Sequence, residues 1–348
     1  GPTVTQSLFF FKDIALFKEG EKQASSGGRK ALPIAFDYKA YHAVGVEIRV
    51  HHIDVRILDL EGNIESMDVY RLDFSTKDDY WTRVNEIVTK QIEKTENISR
   101  ILGIQIAFPG EINLAGDYVT RATVLGVRNL AISEIRKNFT YPVHVSYGAD
   151  AAAFGAVWRL KKIQDAVYIV ITDNGIAGSV IINDKIYHGR GGRSGAFGHI
   201  VLEPQGKPCF CGVRGCFSAY CSLQNLYDAE KEDLAHFFLR VKENEKEAVD
   251  LLDEYLLHLA QGIANVRLSF DSDIIIGGKL VPFFEPYLDR LVKLVAAYPA
   301  LADDEIKIRL DLSSSSPMAE GAALQLVARF LDGTLPGFTF KDLSKETE

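Results

Sequence analysis

Gly195-Ala196-Phe197-Gly198-His199, followed by Cys209-Phe210-Cys211-Gly212-Val213-Arg214-Gly215-Cys216, is the stretch from which the rest of the sequence is read. One imidazole and three thiolates form a closed tetrahedral donor set, the preferred shell of a structural zinc ion, and the interleaved glycines let the backbone wrap closely around it. The chain has 4 cysteines, all between Cys209 and Cys221. Disulfides of a secreted fold are spread along a chain, whereas clustered thiols suit a metal site in a reducing compartment. Free or redox-active thiols are the competing reading of Cys209, Cys211 and Cys216. Cys221 falls outside the ligand spacing and reads as a small buried apolar residue. If the His199 loop lines a cleft, the same histidine also faces a ligand, and the metal couples loop order to binding.

The body around this motif is ordinary in composition. At 348 residues, 47% hydrophobic and 25% charged, the chain is long enough for two or three packed units, since single cores stop growing at about 250–300 residues. It has no signal peptide and no apolar run of about 18 residues that could span a bilayer, so a cytoplasmic location without a membrane partner is expected. A formal net charge of -8 excludes a surface that binds nucleic acid everywhere. Residues 1–30 run against that balance: Lys12, Lys18, Lys22, Arg29 and Lys30 outnumber Asp13, Glu19 and Glu21. A basic head on an acidic body suits a separate DNA-contacting module.

Pro2-Thr3-Val4-Thr5-Gln6-Ser7-Leu8 opens like a helix, and Val4, Leu8, Phe11 and Ile14 continue at helical spacing. The Gly-rich, basic stretch from Gly20 to Lys30 suits a hairpin or wing, although composition alone also fits a frayed helix and a linker. Strands are expected over 44–48, 53–58, 67–72, 101–108, 143–145, 166–171, 178–182 and 274–276. Helices are expected over 78–96 and 149–160, and 223–270 reads as mostly helical. Strands alternating with helices in two successive blocks predict two α/β lobes facing each other across a cleft, where a ligand belongs.

Gly195 to Cys216, with Glu203-Pro204 and Arg214-Gly215-Cys216, is similar to the zinc signature of the ROK family, which comprises repressors and sugar kinases. Phe108-Pro109-Gly110, Ala151-Ala152-Ala153-Phe154-Gly155, Gly175-Ile176-Ala177-Gly178 and Ile276-Gly277-Gly278 extend the resemblance, in the family's order, over most of residues 43–325. It implies a two-lobed, actin-like (ribonuclease H-like ATPase) α/β fold with a structural zinc loop. Pro2-Thr3-Val4-Thr5, Ser26-Gly27-Gly28-Arg29-Lys30 and Gly45-Val46-Glu47-Ile48 resemble the repressor branch, in which a winged helix-turn-helix precedes the body. On that likeness residues 1–40 are a truncated winged helix-turn-helix beginning at or inside the recognition helix, 41–150 the first lobe, and 151–348 the second lobe. The metal motif lies in the second lobe, and the C-terminal helix returns to the first. Thr3, Thr5 and Gln6 are then the candidates for base edges or phosphates, and Arg29 and Lys30 for the wing. A recognition helix without its preceding helix is expected to dock poorly on an operator.

The departures from the family's kinases point the same way. Tyr147 and Gly148 stand where those kinases carry an Asn-Asp pair whose Asp takes the sugar hydroxyl proton. Ala196 and Ser218 replace two sugar-binding Glu residues, Val124 replaces an Asn, and Glu47-Ile48-Arg49-Val50-His51 replaces a Gly-rich phosphate turn. The expectation is a sugar-sensing transcriptional regulator, a repressor of carbohydrate-related genes, that is not an enzyme. Its effector, a sugar or sugar phosphate, would lie near Gly110, Tyr147, Asp150, Ala196, His199 and Ser218. It is expected to form a homodimer on paired operator half-sites. The alternatives are a sugar kinase with substituted groups, Asp150 serving as base, and a DNA-binding protein without an effector.

Overall fold

The computed structural model describes residues 16–19, 34–95, 100–160, 163–228, 231–301, 305–312, 314 and 316–338. Thr3, Thr5, Gln6, Arg29 and Lys30, with the helix expected from Pro2 and the wing from Gly20, lie outside the described residues. Short strands β1 (Phe17–Glu19) and β2 (Ile34–Phe36) pair antiparallel. Leu16 beside them is buried among Tyr41, Leu58 and Phe330, so this pair is anchored to the body.

The first lobe contains β3 (His42–Ile48), β4 (His52–Asp59), β5 (Ile64–Arg71), α1 (Asp78–Lys94), β6 (Ile101–Phe108), β7 (Glu111–Ile112), β8 (Tyr118–Ala122), β9 (Val127–Ala131), α2 (Ile132–Arg136) and β10 (Val143–Tyr147). Its main sheet has the order β10-β6-β3-β4-β5. The hairpins β3–β4 and β4–β5 are antiparallel, while β6 and β10 add in parallel. Both faces of β3 are covered, and all its residues are buried. Helix α1 covers one face with Trp81, Val84, Val88 and Ile92, which recur at helical spacing. Acidic Asp78 and Asp79 at its start and Lys94 at its end oppose the helix dipole. A small sheet, β7-β8-β9, forms a lip beyond the end of β6.

Helix α3 (Gly148–Leu160) leads into the second lobe, with β11 (Ala166–Ile171), β12 (Ile176–Ile182), β13 (Lys185–Tyr187), α4 (Ser218–Cys221), α5 (Leu234–Lys242), α6 (Lys246–Phe270), β14 (Asp273–Gly278), α7 (Val281–Phe284), α8 (Leu288–Ala296), β15 (Ile308–Leu310) and α9 (Pro317–Leu331). The sheet order is β13-β12-β11-β14-β15: an antiparallel meander with two parallel strands added on its other side. The first lobe is built the same way. The first hairpin turn of each lobe, Arg49–His51 and Thr172–Gly175, therefore lies on the cleft side of its sheet. Within 223–270 the expected helical stretch is interrupted: Leu223–Asn225 is a 3₁₀ turn, and α5 and α6 are separate. The lobe boundary expected at residue 150 falls inside α3, which contacts both sheets.

Helices α3 and α9 cross between the lobes on small residues. A Cβ at Gly321 would overlap the Ala151 carbonyl oxygen, and one at Gly155 would press on Gly321. Helix α9 also lies against β3, β4 and β6 of the first lobe. At Gly45 a Cβ would run into the Ala319 backbone, so strand and helix touch there only because the residue is glycine.

Candidate functional site: a two-lobed cleft beside a metal-type loop

The loop after β13 returns to the cleft edge at Phe197–His199, one 3₁₀ turn. From there it folds back on itself, with bridges Val201–Cys216 and Pro208–Arg214. Gly215, at φ +84° with Glu203 backbone where a Cβ would stand, allows that return. One ligand atom from each of His199, Cys209, Cys211 and Cys216 lies within 4.8 Å of every other. Cys209 Sγ is 3.9 Å from His199 Nδ1, and Cys211 Sγ is 3.7 Å from Cys216 Sγ. A tetrahedral ion with metal–sulfur bonds of about 2.3 Å separates its ligands by about 3.8 Å. Burial, and then the neighbouring Cys211 and Cys209, push the Cys216 thiol up to about 12. Three thiolates this close together would need a cation to share their charge, and the spacing of the four donor atoms fits one. Cys221 is apart from the set, fully buried, with its thiol toward the Tyr255 carbonyl.

Between the lobes lies a cleft of about 1370 Å³, part of it open to solvent. His199, Ala196 and Phe210 bring the metal-type loop to its wall, and the Phe210 ring meets the His199 ring edge-on at 5.4 Å between centroids. The cluster that could hold a metal and the wall of the cleft therefore share one loop. Gly110 and Tyr147 line the opposite wall. A Cβ at Gly110 would collide with Ala122, so glycine here lets the turn after β6 pack on β8. Burial, then the Asp150 and Glu111 carboxylates, push the Tyr147 phenol well above its ordinary value, so it stays protonated.

Asp150 and Ser218 do not join them. The Asp150 carboxylate accepts hydrogen bonds from Ser179 Oγ at 2.6 Å and lies 2.9 Å from His188 Nδ1, tying the start of α3 to the β12–β13 hairpin. Ser218 Oγ accepts from the Ile176 N–H at 2.9 Å and is 2% exposed. Neither lines the cleft; each is held by the strand it supports.

Sequence reading missed the groups that charge the cleft. Arg49 grips Glu47 through two bonds, Nε–Oε1 at 2.7 Å and Nη2–Oε2 at 3.0 Å. Lys279 Nζ sits 2.9 Å from Asp173 Oδ2. Glu111 is shared: Arg121 Nη2 donates to Oε1 at 2.8 Å and Arg193 Nε donates to Oε2 at 2.7 Å. Arg193 and Glu111, and Lys279 and Asp173, are far apart in sequence, so spacing could not pair them. The available signal was Gly189-Arg190-Gly191-Gly192-Arg193, a glycine-rich basic loop just ahead of the metal motif.

A duplicated meander-plus-parallel fold with a cleft between its halves defines a two-lobed, sugar-kinase-type α/β protein. The ROK family model matches residues 43–324, and the chain belongs to the ROK family. The xylose repressor of Bacillus subtilis (strain 168) is 28% identical over 342 residues, covering 92% of this chain and 86% of that protein. Among solved structures, a ROK family transcriptional regulator described as a homolog of the E. coli MLC protein superposes with a TM-score of 0.77 at 21% identity, covering 98% of this chain and 91% of that one. A ROK family glucokinase from Streptomyces griseus, in complex with glucose and AMPPNP, superposes with a TM-score of 0.70 at 21% identity, covering 82% of this chain and 98% of that one. Repressor and kinase thus share the fold, and the choice between them rests on the cleft. No helix among the described residues is long and apolar enough to cross a membrane.

Proposed function

We propose that this protein is a ROK-family transcriptional repressor of carbohydrate-related genes, whose two-lobed body senses a small effector and performs no phosphoryl transfer. One observation carries the reading. Every carboxylate lining the cleft among the described residues, Glu47, Glu111 and Asp173, is held by an arginine or lysine. A general base must be near the proton it abstracts and ready to accept it. At the cleft end of β10 stands Gly148, with Met318 and the Phe108 carbonyl beside it and no acceptor of its own. The likeness to a xylose repressor along most of both chains favours the same reading. DNA reading is assigned to the N-terminal segment, with Thr3, Thr5 and Gln6 toward the groove and Arg29 and Lys30 toward phosphate. A homodimer would present two such segments to a two-fold operator. Selection from random duplexes by a form that carries a complete winged helix-turn-helix tests this: an enriched two-fold site, released on adding effector, is expected, and unselective binding overturns it.

His199, Cys209, Cys211 and Cys216 would hold one structural zinc, which supplies positive charge and loop rigidity rather than a reactive water, since all four positions are filled by side chains. Metal analysis after purification without added metal should return about one zinc per chain. Cys209→Ser should lose it and lower the melting temperature. A metal-free protein with unchanged melting would overturn the zinc assignment.

A further inference from the structure

Two guanidinium groups meet on one carboxylate at the mouth of the cleft, and they come from opposite lobes. Arg121 belongs to β8 of the first lobe, while Arg193 belongs to the loop before the metal motif. That loop is pressed onto the first lobe: Gly192, at φ +71°, lies so close to the Ile112 carbonyl that a Cβ would stand 2.6 Å from its oxygen. Arg49 answers Glu47 and, at 3.8 Å, Asp54, and Lys279 answers Asp173, whereas among the described residues the single carboxylate of Glu111 answers both Arg121 and Arg193. This end of the cleft keeps a surplus positive charge. Each guanidinium has five N–H donors in a fixed fork, of which Glu111 takes one from each. Arg121 and Arg193 are also 41% and 61% exposed, so a ligand in the mouth can reach them.

The rest of the cleft wall mixes apolar groups, Val124, Ile176, Ala177 and Ala196, with polar ones, Thr123, Tyr147, Asn174 and His199. Those polar groups can serve the hydroxyls of a ligand, whereas the two guanidiniums offer only donors and call for a group that only accepts. A carboxylate or phosphate is acceptor-only and matches the arginine fork in charge and in planar or tripodal geometry.

Resting on the reading of this cleft as an effector site, we infer that Arg121 and Arg193 form an anion-binding fork and that the effector is a small organic anion. Its carboxylate or phosphate bridges the two lobes beside Glu111. Because one arginine lies on each lobe, the bound anion favours the arrangement in which the lobes are drawn together, and effector charge is coupled to lobe closure.

The test is calorimetry on the whole chain without DNA, using matched neutral, carboxylate and phosphate members of the glucose, galactose and xylose series. Anionic members should bind at least about tenfold more tightly than their neutral parents. Arg121→Gln and Arg193→Gln should each weaken them by about tenfold or more, with Arg193→Lys between, since lysine keeps the charge but not the fork. Melting curves of the same samples verify folding, and the two arginines lie on different lobes, so loss of one variant leaves the other informative. Binding of carboxylates only, or of phosphates only, assigns the anion and upholds the fork. Neutral sugars binding as tightly as the anions, anion binding unchanged in both Gln variants, or no anion binding at all would each overturn it. If the fork binds anions while operator occupancy ignores them, the regulator reading fails and the fork stands.

Discussion

Ser218 shows how a residue that looks like part of a sugar site can be spent on the scaffold. Its hydroxyl accepts the Ile176 N–H at the start of β12 and faces the Ile176 carbonyl at 3.4 Å. Ser218→Ala should leave a buried N–H without its acceptor and cost about 1–3 kcal/mol, read from the urea midpoint, while leaving ligand affinity little changed. His188 behaves differently because it titrates. Its hydrogen bond to Asp150 raises its pKa against the opposing effect of burial. A histidine whose folded pKa is raised contributes stability that is fully present below its unfolded pKa, about 6.5, and lost as pH rises through the folded value. The melting temperature of the protein should therefore exceed that of His188→Gln most at about pH 5, and the gap should narrow above about pH 7. A gap that widens with rising pH would contradict the pairing.

At the scale of elements, the crossing of α3 with α9 depends on surfaces without side chains. Gly321 faces the Ala151 backbone, and Gly155 faces Gly321. Gly321→Val has no flexible neighbour to displace, so it should destabilise by about 3 kcal/mol or more through overpacking and strain. A midpoint within error of the unmodified protein would show that the helices can part cheaply. The sequence made much of this architecture legible. β6 and β11 fall on their expected residues because each is a continuous apolar run bounded by turn residues: Phe108 is followed by Pro109-Gly110, and Ile171 leads to Asp173-Asn174-Gly175. The His199, Cys209, Cys211 and Cys216 cluster, which could hold a metal, was legible because its members are local. The lip β7-β8-β9 was not, since its strands are short and its Glu111 meets Arg193 only once the chain is folded. Asp150 was misplaced for a related reason. A carboxylate near a cleft in sequence takes its direction from its helix turn, and here the first turn of α3 aims it at Ser179 and His188.

For the whole molecule, the open question is whether a fold shared with a glucokinase still transfers phosphate. Phosphoryl transfer needs a base for the acceptor hydroxyl, backbone donors that approach the phosphates closely, and lobes that bring the two together. The β3–β4 hairpin turn of the first lobe offers no such approach. The Arg49 N–H is spent on the His52 carbonyl at 2.9 Å, and the Arg49 side chain lies over the turn, bound to Glu47. The facing turn carries Asp173 locked to Lys279. General-base catalysis contributes about 10²–10⁴ in rate, yet Gly148→Asp would restore the carboxylate alone, and its Cβ would already stand 3.0 Å from Met318 Sδ. Neither the unmodified chain nor Gly148→Asp should form ADP from ATP with any member of a hexose and pentose panel. The replacement is expected to lower the melting temperature instead. Turnover by the unmodified protein at about 1 s⁻¹ or faster, an ordinary enzyme rate, would make the chain a kinase, and the ion pairs across its cleft would then have to open on nucleotide binding.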